Sequence, residues 1–147
     1  MRTIKFRGKR IDNGKWAIGD LRHHNDGSVT IMTNLSVWSD NDDDVDAYGE
    51  ELRVVPETVG QYTGLKDKNG KEIWEGDIVK APLLDPIFGD ALSNAFDNVE
   101  ITFNNGSFVV AYYKGSRNIY LQDLYSMVEV IDNIHDNPEL LKGGQNV

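Results

Sequence analysis

The chain begins with alternating apolar and polar positions that predict short β-strands. Ile4 and Phe6 fall on one side of the first strand, as expected for a half-buried strand with a period of two. The opposite side carries the basic residues Lys5, Arg7 and Lys9. A turn at residues 12–15 leads into a second strand at residues 16–21, so a β-hairpin is predicted here.

Further apolar runs separated by turn residues extend the β pattern along the chain. Asn69-Gly70 and Asn105-Gly106 are typical hairpin turns. The predicted strands that follow the first hairpin cover residues 28–33, 52–55, 58–63, 73–80, 99–103, 108–113 and 127–134. Several short strands with this spacing favour a small barrel or a sandwich, and the five strands after residue 58 are enough to close a small barrel.

Two segments are predicted to be helical, and the pattern of residues 120–125 is ambiguous. Between Asp90, a candidate cap, and Asp97, apolar residues recur at helical spacing. Near the C-terminus, Asn137 and Pro138 are typical of a helix start, and Gly143-Gly144 ends that helix.

The first helical segment lies in a strongly apolar insertion between two predicted strands. Its large apolar residues are Leu83, Leu84, Ile87, Phe88, Leu92 and Phe96. A surface this apolar is normally covered. Either the insertion folds over an open end of the barrel, or it is buried against another copy of the chain or a partner protein.

Composition narrows the class of protein. The chain has 147 residues, enough for one domain with its own core, and it contains no cysteine and no apolar run of membrane-spanning length. A soluble cytoplasmic protein is therefore expected. The net charge of −9 argues against non-specific nucleic-acid binding. Much of that charge lies in residues 39–51, predicted to be a mobile loop with seven acidic residues.

The acidic loop also has partial calcium-loop spacing. Its candidate ligands are Asp40, Asp42, Asp44, Asp46 and Glu51, at positions 1, 3, 5, 7 and 12. Val45 occupies the position where such loops need a glycine, which favours a solvated loop. The neighbours His23 and His24 point to opposite faces of a strand and make a poor metal pair, so no cofactor is predicted.

No catalytic arrangement is evident in the sequence. Asp20, Asp67 and Asp77 lie at turns, where an aspartate accepts hydrogen bonds from nearby backbone donors. The glycines of residues 60–76 separate strands, whereas a phosphate-binding loop leads from a strand into a helix. The chain is therefore predicted not to be an enzyme.

Three blocks of this sequence resemble the YopX family of bacteriophage and prophage proteins. The first block is residues 2–20 and contains Lys5-Phe-Arg-Gly-Lys9. The second is residues 54–80 and contains Thr58-Val-Gly-Gln-Tyr-Thr-Gly-Leu-Lys-Asp-Lys-Asn-Gly70 and Glu75-Gly-Asp-Ile-Val-Lys80. The third is residues 128–142 and contains Asn137-Pro-Glu-Leu-Leu141. Trp74, Asp132 and His135 depart from the family pattern, and Asp132 replaces a usual glycine. The resemblance implies an SH3-like β-barrel, a phage origin and the host-cell cytoplasm, but no active site.

The predicted organisation is an N-terminal hairpin region at residues 1–56, an SH3-like barrel at 57–142 and a disordered tail at 143–147. The leading hypothesis is a non-enzymatic accessory protein that contacts an unidentified host or phage protein, or forms a homo-oligomer. The basic strand and the apolar insertion are the candidate contact surfaces.

Two alternatives remain from the sequence. One is a nucleic-acid-associated β-barrel module that uses the basic strand and nearby aromatic residues. The aromatic candidates are Trp16, Tyr62, Trp74, Tyr112 and Tyr113. The other is an acidic decoy that mimics nucleic acid through residues 39–51. The basic strand also fits a simpler role, because charges on an edge strand discourage aggregation.

Overall fold

The computed structural model describes residues 2–33, 36–41 and 44–141, and for residues 36–48 only the course of the described backbone. The chain divides into two compact units, Met1–Tyr62 and Thr63–Val147. The fold is mainly β, with two antiparallel sheets and one short α-helix among the described residues.

The first unit contains an antiparallel sheet and a separate hairpin. The strands are β1 (Phe6–Lys9), β2 (Trp16–His23), β3 (Val29–Met32), β4 (Ser36–Asn41), β5 (Asp44–Tyr48), β6 (Glu51–Val54) and the start of β7 (Gly60–Lys66). In the sheet their order is β6-β3-β2-β1-β7, and β4 pairs only with β5. One sheet face packs a small core around Ala17, Val29, Ile31 and Val54.

The second unit contains the end of β7 and a five-stranded antiparallel sheet. Its elements are β8 (Glu72–Trp74), β9 (Asp77–Leu84), β10 (Ala91–Asn104), β11 (Ser107–Tyr112), β12 (Arg117–Tyr120), α1 (Leu121–Leu124) and β13 (Glu129–Asn133), with 3₁₀ turns at Pro56–Thr58, Tyr113–Gly115, Tyr125–Met127 and Pro138–Leu141. The sheet order is β12-β11-β10-β9-β13. Its core includes Ile73, Val79, Val99, Ile101 and Val110.

The predicted SH3-like barrel is not confirmed. Within the described residues, the sheet of the second unit has two ends, at β12 and β13, and does not close on itself. Strand number alone does not close a barrel, because closure also requires a matching tilt and register between the first and last strands.

The prediction of a helix within the apolar insertion is wrong. Residues 91–104 form the strand β10, which pairs with β9, and residues 85–89 form the turn between them. The register shifts between Ala91 and Phe96, which marks a bulge or irregularity. Helical spacing in a short segment is a weak signal, and here pairing with β9 prevails.

The other predicted elements are largely confirmed. The first hairpin pairs Arg7 with Ile18, and β10 and β11 meet at the Asn105-Gly106 turn, where both residues have positive φ. The C-terminal helix is a 3₁₀ turn at Pro138–Leu141, and residues 143–147 lie outside the described residues. Where its backbone is described, the predicted acidic loop is not irregular: Ser36–Asn41 pairs with Asp44–Tyr48 as antiparallel strands.

Candidate functional site

The basic side chains of strand β1 and of the residue before it, Lys5, lie over aromatic rings of the first unit. The Arg7 guanidinium carbon lies 4.6 Å from the centre of the Trp16 ring, and Lys9 Nζ lies 5.5 Å from the same ring. Lys5 Nζ lies 4.9 Å from the centre of the Tyr62 ring. These distances are typical of cation–π contacts. The Trp16 ring is partly exposed on this face, whereas Tyr62 is buried.

The pairing of strands explains this arrangement. Lys9 is opposite Trp16 in the β1–β2 ladder, and Arg7 is opposite Ile18, so these side chains share one face of the sheet. The sequence predicted the basic face and included Trp16 and Tyr62 among the candidate aromatic residues. Which cation contacts which ring could be known only from the register of the paired strands. Tyr62, Trp74 and Tyr112, all named as candidate aromatic residues, are buried and offer no stacking surface.

The apolar insertion forms the end of the β9–β10 hairpin in the second unit. Asp85 Oδ1 accepts hydrogen bonds from the backbone nitrogens of Ile87 (2.8 Å) and Phe88 (2.9 Å). Both bonds lower the pKa of the Asp85 carboxyl, and the bond from Phe88 has the larger effect. The turn is also closed by a backbone bond from the Gly89 nitrogen to the Asp85 carbonyl. The side chain that closes this turn is therefore that of Asp85, and no helix begins at Asp90.

The six apolar residues of the insertion divide into buried and exposed groups. Leu84 belongs to the core, Leu83 and Leu92 are partly buried, and Phe96 is 43% exposed. Ile87 and Phe88 are 82% and 78% exposed at the turn. We call these two adjacent residues the apolar tip.

Two basic side chains near this hairpin were not among the candidates from sequence. Lys80 Nζ lies 4.9 Å from the centre of the partly exposed Phe96 ring. Arg117 lies over Gly89, because a Cβ added to that glycine would be 2.7 Å from the Arg117 guanidinium. Neither contact has a local sequence signal, because both pairs are formed between different strands or turns.

The calcium-loop candidates are only partly described. Asp42 lies outside the described residues, as do the side chains of Asp40, Asp44 and Asp46. Glu51 is described, and its Oε1 accepts a 2.8 Å hydrogen bond from the Thr30 hydroxyl. Glu51 Oε1 also lies 3.3 Å from His24 Nε2. Glu51 and His24 thus take part in a polar contact between strands.

Neither a cluster of metal-ligating side chains nor a long apolar helix is present in the described part of the chain. Its His, Asp and Glu side chains form no group of three or more suited to holding a metal ion. None of its helices combines the length and apolar character needed to cross a membrane.

Two of the three aspartates that the sequence placed at turns have the predicted structural role, whereas Asp20 lies within the strand β2, opposite Met32. Asp77 Oδ2 accepts a 2.7 Å hydrogen bond from the Trp74 nitrogen. Asp67 Oδ1 accepts 2.9 Å bonds from the nitrogens of Asn69 and Lys71. These carboxylates are buried and hold turns of the second unit.

Burial raises the pKa of two further titratable groups in the second unit. Desolvation raises the pKa of the Glu100 carboxyl, and the charge of Glu75 adds to this effect. Desolvation, followed by the charges of Tyr113 and Asp97, raises the pKa of Tyr112 to about 12. Sequence reasoning singled out neither group for its ionisation, because burial is a property of the packed sheet.

Comparison with solved structures shows the same fold in two bacterial proteins. The crystal structure of protein EF1440 from Enterococcus faecalis has a TM-score of 0.63 and 24% identity, covering 96% of this chain and 99% of that one. The X-ray structure of protein yopX from Bacillus subtilis has a TM-score of 0.55 and 20% identity, covering 97% and 98% of the two chains. At these identities the likeness concerns the fold alone.

Comparison with known sequences gives one family. No curated protein matches the chain. The family model described as YopX protein matches residues 5–142, which includes both the basic strand and the apolar tip. The chain belongs to the YopX family.

Proposed function

We propose that this YopX-family chain is a phage or prophage accessory protein that acts without catalysis, by binding another protein in the host-cell cytoplasm. The observation that carries the proposal is the apolar tip, where Ile87 and Phe88 are both more than three-quarters exposed. A large aliphatic and an aromatic residue side by side are typical anchors of protein interfaces.

The geometry of the turn supports this role. The Asp85 carboxylate binds the backbone of both tip residues, so the two side chains are presented on an ordered turn. An ordered tip loses less conformational entropy on binding than a mobile one, which favours affinity. Leu84 supports the same hairpin from within the core.

The polar groups of the second unit support a non-catalytic role. Asp67, Asp77 and Asp85 accept backbone hydrogen bonds within turns, and the Tyr112 hydroxyl donates to the carbonyl of Pro82. Each of these groups has a structural role that explains its position.

Site-specific photo-crosslinking tests the proposal. A photoreactive phenylalanine analogue is placed at Phe88, and a matched variant carries it at Phe103, which is also exposed at 54%. In host cells that carry the phage genes, we expect a nuclease-resistant crosslink to one protein from position 88 and none from position 103. Phe88→Asp should abolish co-purification of that protein. Equal crosslinking from both positions, or none from position 88, would contradict the proposal.

A second copy of the chain is a distinct outcome of the same experiment. A crosslink from position 88 to the protein itself would replace the partner protein with a homo-oligomer, which light scattering would then measure. Phe88→Asp should reduce such an oligomer to monomer.

A second candidate function is association with single-stranded nucleic acid, favoured by the cation–aromatic face. Arg7 and Lys9 lie over the ring of Trp16, which is partly exposed; positive charge and aromatic rings are the elements of single-strand binding surfaces. Fluorescence polarisation with a labelled single strand at low salt tests it. Replacing Lys5, Arg7 and Lys9 by alanine should abolish binding, and the control replacement of Lys66, Lys68 and Lys71 should retain it. A flat titration of the wild-type chain removes this candidate.

A further inference from the structure

The chain contains three Asn-Gly pairs, and an asparagine followed by a glycine is chemically labile. The pairs are Asn13-Gly14, Asn69-Gly70 and Asn105-Gly106. In such a pair the backbone nitrogen of the glycine attacks the side-chain carbonyl of the asparagine, and glycine has no Cβ to obstruct the approach. The local sequence makes the three pairs equivalent, so the surrounding hydrogen bonds decide which of them reacts.

Hydrogen bonds hold both partners of the first pair. The Gly14 nitrogen donates a 3.0 Å bond to the Arg10 carbonyl. Asn13 Oδ1 accepts a 3.0 Å bond from the Lys15 nitrogen. The nitrogen must break its bond before it attacks, and the asparagine side chain must leave its own partner, each at about the cost of one net hydrogen bond. The first pair is therefore protected.

The second pair is protected at its glycine. The Gly70 nitrogen donates a 3.0 Å bond to the carbonyl of Asp67. The carboxylate of the same buried residue also accepts a 2.9 Å bond from the Asn69 nitrogen. The backbone on both sides of the reacting bond is thus fixed to Asp67, and attack by the Gly70 nitrogen requires this turn to open.

The third pair has no such restraint. Asn105 and Gly106 are exposed and form the two-residue turn between β10 and β11, with φ of 50° and 83°, as in the type I′ turns of tight hairpins. Neither the Gly106 nitrogen nor the Asn105 side chain has a hydrogen-bond partner among the described residues. A Cβ added to Gly106 would meet nothing within 4 Å. The nucleophile and the carbonyl that it attacks are both free to move.

We infer that Asn105 is a site of spontaneous deamidation and that its isoaspartyl product opens the end of the β10–β11 hairpin. Hydroxide removes the Gly106 amide proton, and the nitrogen bonds to Asn105 Cγ. The bond from Cγ to the side-chain nitrogen breaks, and this nitrogen takes a proton from water and leaves as ammonia. Water then opens the cyclic imide. Cleavage of its Cγ–N bond gives aspartate, and cleavage of its backbone C–N bond gives isoaspartate.

The isoaspartyl product changes the length of the turn. Its main chain runs through the former side chain, which adds one carbon to a connection whose length sets the register of the two strands. That register pairs Phe103 with Phe108 and Asn104 with Ser107. The rings of Phe103 and Phe108 meet edge to face at 5.1 Å, and Phe108 also packs against the core. The added carbon therefore disturbs the pairing and this ring contact.

Peptide mapping by mass spectrometry of the full chain, incubated at mildly alkaline pH, tests the site. Deamidation at Asn105 should be at least about fivefold faster than at Asn13 or Asn69, which is the factor for breaking one hydrogen bond. The matched control is the same incubation in urea, where the folded turns are lost and the three rates should converge. Equal rates in the folded chain would overturn the inference. An unchanged ratio in urea would assign the difference to local sequence and overturn it equally.

Amide hydrogen exchange of the incubated sample tests the structural effect. Peptides with aspartate or isoaspartate at position 105 separate by chromatography, so exchange is measured on each product, and an isoaspartyl methyltransferase with a labelled methyl donor identifies the isoaspartyl one. The amides of Asn104 and Ser107 should exchange at least about fivefold faster in the isoaspartyl product. The variant Asn105→Asp, which adds the charge without the extra carbon, should retain their protection. Unchanged exchange in the isoaspartyl product, or an equal loss in Asn105→Asp, would overturn the proposed opening.

Discussion

Asp67 Oδ2 accepts a 2.8 Å hydrogen bond from the backbone nitrogen of Val130, 63 positions later in the chain. The other oxygen of the same carboxylate binds the nitrogens of Asn69 and Lys71. A single buried carboxylate thus joins the β7–β8 turn to the last strand, β13. The sequence predicted the local bonds of Asp67, whereas the bond to Val130 depends on packing within the second unit.

Asp67→Asn is expected to destabilise the chain by about 1–3 kcal/mol at neutral pH, because the amide group of asparagine faces a backbone donor. Urea unfolding measures this loss. Asp123→Asn is the matched control, since Asp123 is exposed, and it should change stability by less than about 0.5 kcal/mol. Equal effects of the two substitutions would contradict the role of Asp67.

The contribution of Asp67 is also expected to depend on pH. Burial raises the pKa of its carboxyl, but the bonds from Val130, Lys71 and Asn69 together lower the pKa below 3.8. The stabilisation is therefore complete above pH 3.8 and is lost as the pH falls through the folded-state pKa. The stability difference between wild type and Asp67→Asn should shrink below pH 3.8. A constant difference down to acid unfolding would contradict this assignment.

Tyr112→Phe is expected to destabilise the chain by about 1–3 kcal/mol, because the Tyr112 hydroxyl donates a buried 2.6 Å bond to the Pro82 carbonyl. The pKa of about 12 exceeds the ordinary value of 10.0, so the stabilisation is complete below pH 10 and is lost as the pH rises toward 12. Absorbance at tyrosinate wavelengths should show Tyr112 ionising late. Tyr120→Phe, at an exposed position, is the control; an equal loss of stability would refute the role of Tyr112.

Leu84→Ala should cost about 2–5 kcal/mol, because Leu84 is buried in the core of the second unit. Phe88→Ser, on the same hairpin, should change stability by no more than about 0.5 kcal/mol, because Phe88 is 78% exposed. Chemical unfolding of the two variants compares them directly. A large loss for Phe88→Ser would show that the apolar tip is packed within the protein and would remove the basis of the proposed interface.

Gly19→Ala is expected to be more damaging than Gly14→Ala. A Cβ on Gly19 would lie 1.9 Å from the Met32 carbonyl oxygen, so the backbone must shift. Gly14 has open space around it and a φ of +71°, so alanine there should cost only the roughly 1–2 kcal/mol of a left-handed conformation. Thermal unfolding measures both. A smaller loss for Gly19→Ala would contradict the close approach of β2 to residue 32.

The insertion shows why the sequence predicted some elements wrongly. Ala91, Leu92, Ala95 and Phe96 have helical spacing, yet they lie in the strand β10. Pairing with β9 satisfies the backbone there, and the irregularity between Ala91 and Phe96 changes which side chains face the core. A spacing rule assumes one regular element, so it does not apply across such an irregularity.

Asp132 shows a similar limit. A glycine is usual at this position in the family, and glycine is favoured where the backbone has positive φ, but Asp132 is not among the residues with positive φ. Its carboxylate instead accepts hydrogen bonds from the Asn133 nitrogen and the Asn137 side chain. The departure from the family pattern is therefore accommodated by local hydrogen bonds near the end of β13.

The sequence by itself determined the β character, the turns at Asn69-Gly70 and Asn105-Gly106, the basic face of β1 and the family. These depend on local rules, namely side-chain alternation and the conformational preferences of turn residues. Only the tertiary structure decided the open sheet of the second unit and the exposure of Ile87 and Phe88. Each depends on where a strand stops pairing, which long-range contacts set and which no short window of sequence encodes.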